Sequence, residues 1–184
     1  MKTTLRREMD GRILRLAVPN IISNITVPLL TIVDVALAGR MESAGSIGAV
    51  AVAAGVVNYA FWLFAFLRMG TTGFTAQAFG CSDVRAITRY LARGVLLALG
   101  AGLLLIVAAP LVERFGHLLA SGQETIGREA REYIRIALWG APAALLIYVF
   151  NGWYVGMQNT RIPMWVAILS NLINIVLSII LPKN

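Results

Sequence analysis

Residues 92–112 read ARGVLLALGAGLLLIVAAPLV. Beyond Arg93 the stretch carries no charge, no amide and no hydroxyl side chain. A bilayer core about 30 Å thick is crossed by roughly 20 such residues in a helix. Helices are the open-ended way to cross lipid, because their backbone groups are satisfied internally. Four further apolar runs meet or approach that length, at 13–38, 47–67, 134–155 and 164–181. The expected fold class is therefore all-α, a polytopic membrane helix bundle of about five transmembrane helices in a single membrane domain over residues 1–184.

Composition points the same way. The chain is 58% hydrophobic and 14% charged, with net charge +7. Soluble domains carry about 25% charged residues, so this one has too little polar surface to cover a globule in water. The basic residues fall between apolar runs rather than on one face, which fits an anionic inner leaflet and argues against nucleic acid. Cys81 is the single cysteine, so no intramolecular disulfide forms, and with one histidine the chain lacks the residues of a Cys/His metal cluster. Residues 1–11 are polar and basic, and the run after them is too long for a signal-peptide core. The first segment is expected to be retained.

The breaks between runs carry helix punctuation. Gly80-Cys-Ser-Asp83 offers a C-cap glycine followed by N-cap residues. Ser121-Gly-Gln-Glu124 has capping-box spacing, so the fourth helix is expected to begin outside the membrane. Gln158-Asn-Thr-Arg161 before Pro163 reads as a short turn. With the N-terminus inside, ten Lys and Arg fall on the inner side: Lys2, Arg6, Arg7, Arg12, Arg15, Arg68, Arg85, Arg89, Arg93 and Arg161. Six, namely Arg40, Arg114, Arg128, Arg131, Arg135 and Lys183, fall outside and share their loops with five glutamates. That bias predicts a multi-pass protein with a cytoplasmic N-terminus.

Asp34 is the only acidic residue within an apolar run. A carboxylate at that depth costs about 2.5–3.5 kcal/mol on insertion scales. Helical spacing places Asn20, Asn24, Val27, Thr31, Asp34 and Ala38 on one side of the first helix, a stripe that should face a bundle interior or a water-filled cavity. Burial penalises the ionised carboxylate, the property a proton carrier needs. The alternative is that Asp34 accepts interhelical hydrogen bonds; it also lies near the outer end of the run, where solvation weakens the carrier reading. Pro19 and Pro28 each free a carbonyl and permit a bend beside the stripe. In the last run Asn174 is a candidate second polar contributor, whereas Asn171 reads as helix–helix glue. Asn58, Tyr148 and Asn151 are candidate cavity-lining residues from other helices. Gly152 and Gly156, like Ala51 and Gly55, have the small-xxx-small spacing of close helix approach. His117 reads as a loop residue without a role. No nucleophile with its base, phosphate loop or zinc site is legible, so the chain does not read as an enzyme.

Several blocks resemble a known family. Pro19-Asn-Ile-Ile-Ser-Asn-Ile25, Val33-Asp-Val-Ala-Leu-Ala-Gly-Arg40, Phe66-Leu-Arg-Met-Gly-Thr-Thr-Gly73 with Ala76-Gln77, Trp139-Gly-Ala-Pro142 and Gly156-Met-Gln-Asn159 are similar to the DinF branch of the multidrug and toxic compound extrusion (MATE) family. The resemblance implies a secondary antiporter of the bacterial inner membrane, without cofactor, that exports amphipathic or cationic small molecules in exchange for protons or sodium ions. It implies twelve helices in two lobes with alternating access, of which this chain would be an incomplete N-terminal lobe with the second lobe missing. Asp34 and Asn174 are then the proton- or cation-coupling residues. The family's fifth helix presents Asn-x-x-x-Asp; here the stretch is Asn174-Ile-Val-Leu-Ser178, and a serine hydroxyl supplies no charge. The alternative is a non-transporting membrane-inserted remnant, or a half-lobe subunit that needs a second polypeptide.

Overall fold

The computed structural model describes residues 10, 11, 13, 14, 16–19, 21, 22, 25, 44–119 and 124–180. The chain divides into two compact units, Met41–Gly156 on one hand and Met1–Arg40 with Met157–Asn184 on the other. Among the described residues there are helices and turns and no strand.

The first unit holds six helices: α1 (Ala44–Trp62), α2 (Phe66–Gly80), α3 (Val84–Val107), α4 (Ala109–Leu119), α5 (Glu124–Trp139) and α6 (Ala141–Gly156). They arise from three apolar stretches, each broken once for a local reason. Between α1 and α2 the amides of Phe64, Ala65 and Leu67 donate to carbonyls three residues back, at 2.9, 2.9 and 3.0 Å. The helix tightens there into 3₁₀-type turns without being interrupted by proline or glycine. Between α3 and α4 the break at Ala108 precedes Pro110, whose ring leaves the Ile106 carbonyl without its helical donor. Between α5 and α6 Gly140 precedes Pro142, and the axis bends by 52°. Pro142 is tolerated because it stands in the first turn of α6, where an amide would have no helical partner.

These six helices form two trios. In one, α2, α3 and α6 pack on one another; in the other, α1, α4 and α5 do. The first trio is closed by glycines at the contacts. A Cβ on Gly152 would lie 2.5 Å from the Arg68 carbonyl oxygen, and one on Gly156 would lie 2.7 Å from the Thr75 Cβ. On α3, a Cβ on Gly94 would meet Val149 Cγ1 at 2.8 Å, and one on Gly102 would meet the Pro142 Cα at 2.5 Å. Gly94, Ala98 and Gly102 recur every four residues, so α3 offers α6 one flat strip, all of it buried. The Trp153 indole donates to the Ile87 carbonyl at 3.3 Å, and Phe74 stacks on Tyr90 with centroids 5.4 Å apart. Both tie the trio at its α3 N-terminal end.

The second trio buries Ala53, Val56, Val57 and Ala60 of α1 together with Ala130, Ile134 and Leu138 of α5. Glu113 of α4, only 8% exposed, accepts from Arg135 of α5 through both oxygens: Nε to Oε1 at 3.1 Å and Nη2 to Oε2 at 3.3 Å. Such fork-on-carboxylate pairs are strong and directional. In the second unit, α7 (Arg161–Ile180) carries Pro163 in its first turn, and Met164 donates to Thr160 at 3.3 Å. The described residues between 10 and 25 are helical.

Several expectations change. The helices run beyond the apolar runs, with α2 continuing through Gly80 and α3 starting at Val84, on either side of the Gly80-Cys-Ser-Asp83 punctuation. Asp83 does cap α3, accepting from the Ala86 amide at 2.9 Å. Gly80, however, stays helical; the cap is Cys81, and the left-handed residue is Ser82 at φ 56°. His117 lies in α4, not in a loop. The turn before α7 is as expected, with Gln158 at φ 59°. Among the described residues, Ala51–Gly80 and Val84–Val107 are long and apolar enough to cross a membrane, and the bent pair Ala130–Trp139 with Ala141–Gly156 makes a third if counted as one span. Arg161–Val176 is a shorter apolar helix.

Two outcomes follow from this packing. Gly152→Ala should destabilise the chain in detergent by about 1–3 kcal/mol through overpacking, whereas Gly73→Ala, whose Cβ meets open space, should not lower the thermal midpoint. Arg135→Gln should lower that midpoint more than Glu113→Gln does, because it leaves a buried carboxylate unpaired. The double variant should recover part of the loss in the same melting experiment.

Candidate functional site

The polar side chains that remain for function lie mainly on one flank of α6. Its buried face is Ala141, Leu145, Val149, Gly152 and Gly156, which at about 100° per residue form one side of the helix. Pro142 and Trp153 lie to one side of that face, toward α3. On the other side run Ala144, Tyr148, Asn151 and Val155, all half-buried. Tyr148 packs against the apolar core by its ring. The structure thus brings Tyr148 and Asn151 together on one flank, three residues apart.

The other candidates are distributed differently. Asn58 is exposed on α1, and helical spacing puts it on the side opposite Ala53, Val56, Val57 and Ala60. It does not join the packed interior. Asn174 is exposed on α7, in the second unit, and Asn171 three residues earlier has its Nδ2 buried without a hydrogen-bond partner among the described residues. Asn24, Thr31 and Asp34 lie outside the described residues, as does the Ser121 cap.

Beside the α6 flank, α2 turns Thr71 and Thr75 inward. The Thr75 side chain is fully buried, and its Oγ1 has no hydrogen-bond partner among the described residues. Thr72 instead donates back to the Arg68 carbonyl at 2.8 Å. Hydroxyl, phenol and amide groups are neutral donors and acceptors. They can line a path for an amphipathic solute or give oxygen to a cation, but they do not titrate a proton near neutral pH; in this flank the charge has to come from elsewhere.

Sequence pattern did not single out the Glu113–Arg135 pair. Glu113 reads as a charge of the outer loop, whereas it is helical, and Arg135 enters only the outer-side charge balance. One signal was available: Glu113 directly follows the apolar run 92–112, and Arg135 stands just inside the run 134–155. Arg68, Arg85, Arg89 and Arg93 are all exposed on α2 and α3, with Asp83 the one acid near them among the described residues.

Comparison with known proteins accounts for this combination of broken apolar helices and sparse polar side chains. The family model described as MatE matches residues 19–180. The chain is 42% identical over 171 residues to the DNA damage-inducible protein F of Escherichia coli, covering 92% of this chain and 37% of that protein. It is 27% identical to a probable multidrug resistance protein NorM of Thermotoga maritima, covering 92% of this chain and 36% of the relative. For the corresponding protein of Shewanella oneidensis the identity is 32%, with 89% and 35% covered. The chain therefore spans little more than a third of the length of these relatives. With the match extending from the first apolar run to the end of α7, the chain belongs to the MatE family of multidrug and toxic compound extrusion proteins.

Proposed function

We propose that this chain supplies the N-terminal helices of a secondary antiporter that exports amphipathic or cationic compounds in exchange for protons or sodium ions. The observation that carries the reading is the family match over residues 19–180. Relatives named as multidrug resistance proteins, covered over most of this chain, support the substrate class. Five spans, at 13–38, 47–67, 92–112, 134–155 and 164–181, form part of the same proposal, as does a single membrane domain. The partners are the bilayer, the exported small molecule and a second lobe of helices, carried on the same or a separate polypeptide.

In this reading Asp34 is the coupling residue. It is the acid within the first apolar run, and the threonines and amides of the described helices cannot take its place, since they bear no charge at neutral pH. Asn174 supports it from the last helix. Tyr148 and Asn151 line the cavity from the α6 flank, joined by Asn24 and Thr31 of the first helix, while Asn58 contributes from the exposed side of α1. The chain is placed in the bacterial plasma membrane with its N-terminus cytoplasmic. The arginines of α2 and α3 support that orientation, because lysine and arginine concentrate on the cytoplasmic side. No cofactor is needed, since the ion gradient drives the exchange.

The test is Asp34→Asn in a transporter that includes the second lobe. Efflux driven by a pH or sodium gradient should fall to the level of cells without the transporter, at equal membrane abundance. Undiminished gradient-driven efflux would overturn the coupling assignment. Asn174→Ala should weaken coupling without abolishing membrane insertion, read as residual efflux in the same assay. Expression of the 184-residue chain alone should confer no efflux, and co-expression with a second lobe should restore it.

A further inference from the structure

An apolar cleft opens between α1 and α4. Its volume is about 980 Å³, at the upper end of the roughly 300–1,000 Å³ typical of small-molecule sites. Val52, Gly55 and Tyr59 form one wall, and Leu111 and Phe115 the other. Among the described residues Arg114 is the one charged residue in the lining. Its neighbour Glu113 is engaged with Arg135, and Arg114 is exposed with no ion pair among the described residues.

Depth distinguishes the two ends of the cleft. Arg114 stands two residues beyond the apolar run 92–112, the position of an arginine that reaches toward the headgroups while its stem stays in apolar surroundings. Val52, Gly55, Tyr59 and Leu111 belong to the runs 47–67 and 92–112, which places that part of the walls at hydrocarbon depth, whereas Phe115 lies past the run beside Arg114. A groove of this kind in a bilayer faces lipid chains, and its cation faces their phosphates.

We propose that this cleft holds an acyl chain of an anionic phospholipid, with the Arg114 guanidinium on the phosphate. Arginine suits that role because its planar fork meets phosphate oxygens in pairs. A zwitterionic headgroup adds an ammonium that Arg114 repels, so the site prefers lipids of net negative charge. A cationic solute of the kind proposed for export meets no carboxylate among the described lining residues and is repelled by the same guanidinium. The inference depends on the membrane setting of the helices and is independent of the transport reading.

Gly55 makes the cleft testable. A Cβ there meets nothing within 4 Å, so a side chain can start at this lining position without a clash at its first atom, and Gly55→Phe puts a ring into the groove. The 184-residue chain in neutral detergent is incubated with dioleoyl-phosphatidylglycerol or dioleoyl-phosphatidylcholine, and retained lipid is read by native mass spectrometry. Phosphatidylglycerol should be retained over phosphatidylcholine. Arg114→Gln should weaken its binding about tenfold, the loss of one charge-assisted hydrogen bond, and Gly55→Phe should reduce retention of both lipids. Arg93→Gln, which alters an exposed arginine on α3, should change nothing. Should Arg114→Gln fail to fold by circular dichroism, Arg114→Lys, which keeps the charge but loses the fork, should give an intermediate loss. Equal retention of the two lipids by the unaltered chain would overturn the proposal. So would undiminished binding in Gly55→Phe or in the folded arginine variant, or a loss in Arg93→Gln as large as at Arg114, which would indicate diffuse surface charge.

Discussion

Close approach of helix backbones at four glycines underlies the packing of the first unit. In lipid no hydrophobic force draws helices together, since the solvent is as apolar as the side chains. Association depends on van der Waals packing, which falls away with a gap of less than an ångström. Gly94, Gly102, Gly152 and Gly156 remove the atoms that would hold α2, α3 and α6 apart. The backbones then meet side chains such as Val149 and Thr75 directly. The same closeness leaves the Thr75 hydroxyl buried without a partner among the described residues, a cost set beside contacts that larger residues would not permit.

The second trio is held differently. There α1 and α5 interlock through alanine, valine, isoleucine and leucine, and α4 is tied to α5 by the Glu113–Arg135 fork. A pair of this geometry fixes one helix register against the next, while the apolar contacts alone would allow sliding. Pairing also explains how Glu113 is tolerated at 8% exposure: removed from water, a carboxylate needs a cation and hydrogen bonds around it. Because α5 contacts both neighbours, α1 and α4 are free to diverge, and the cleft containing Arg114 lies between them. An apolar opening beside an exposed cation is thus a consequence of which neighbour α5 engages.

The link to function runs through the scarcity of polar groups. Tyr148 and Asn151 stand out on α6 because most of that helix is apolar or glycine, and they share one half-buried flank beside its buried face. Membership in the MatE family gives this flank its context, and the charge that coupling requires is assigned by proposal to Asp34, outside the described residues. The arginines of α2 and α3 and the Glu113–Arg135 pair mark opposite ends of the unit chemically. One end is basic and exposed; at the other, the buried Glu113 is paired with Arg135 while Arg114 stays exposed.

The sequence by itself determined the class of the protein. Low charge and apolar runs near bilayer length leave few options other than a helical membrane bundle, and hydropathy is a local sum that needs no partner to be read. It also marked Gly152 and Gly156 as contact positions, since small residues four apart share a helix face, and it named the Asp83 cap. Helix starts were legible from capping residues and not from hydropathy: α3 begins eight residues before the apolar run and α5 ten before, because hydrogen bonding continues in polar residues where hydropathy has stopped. Tertiary structure alone decided that Glu113 meets Arg135, twenty-two positions along the chain, that Asn58 faces away from the core, and that Arg114 edges a cleft. Those outcomes depend on which helix faces which, and a pattern of residue types along one chain fixes the face of each helix without fixing its neighbour.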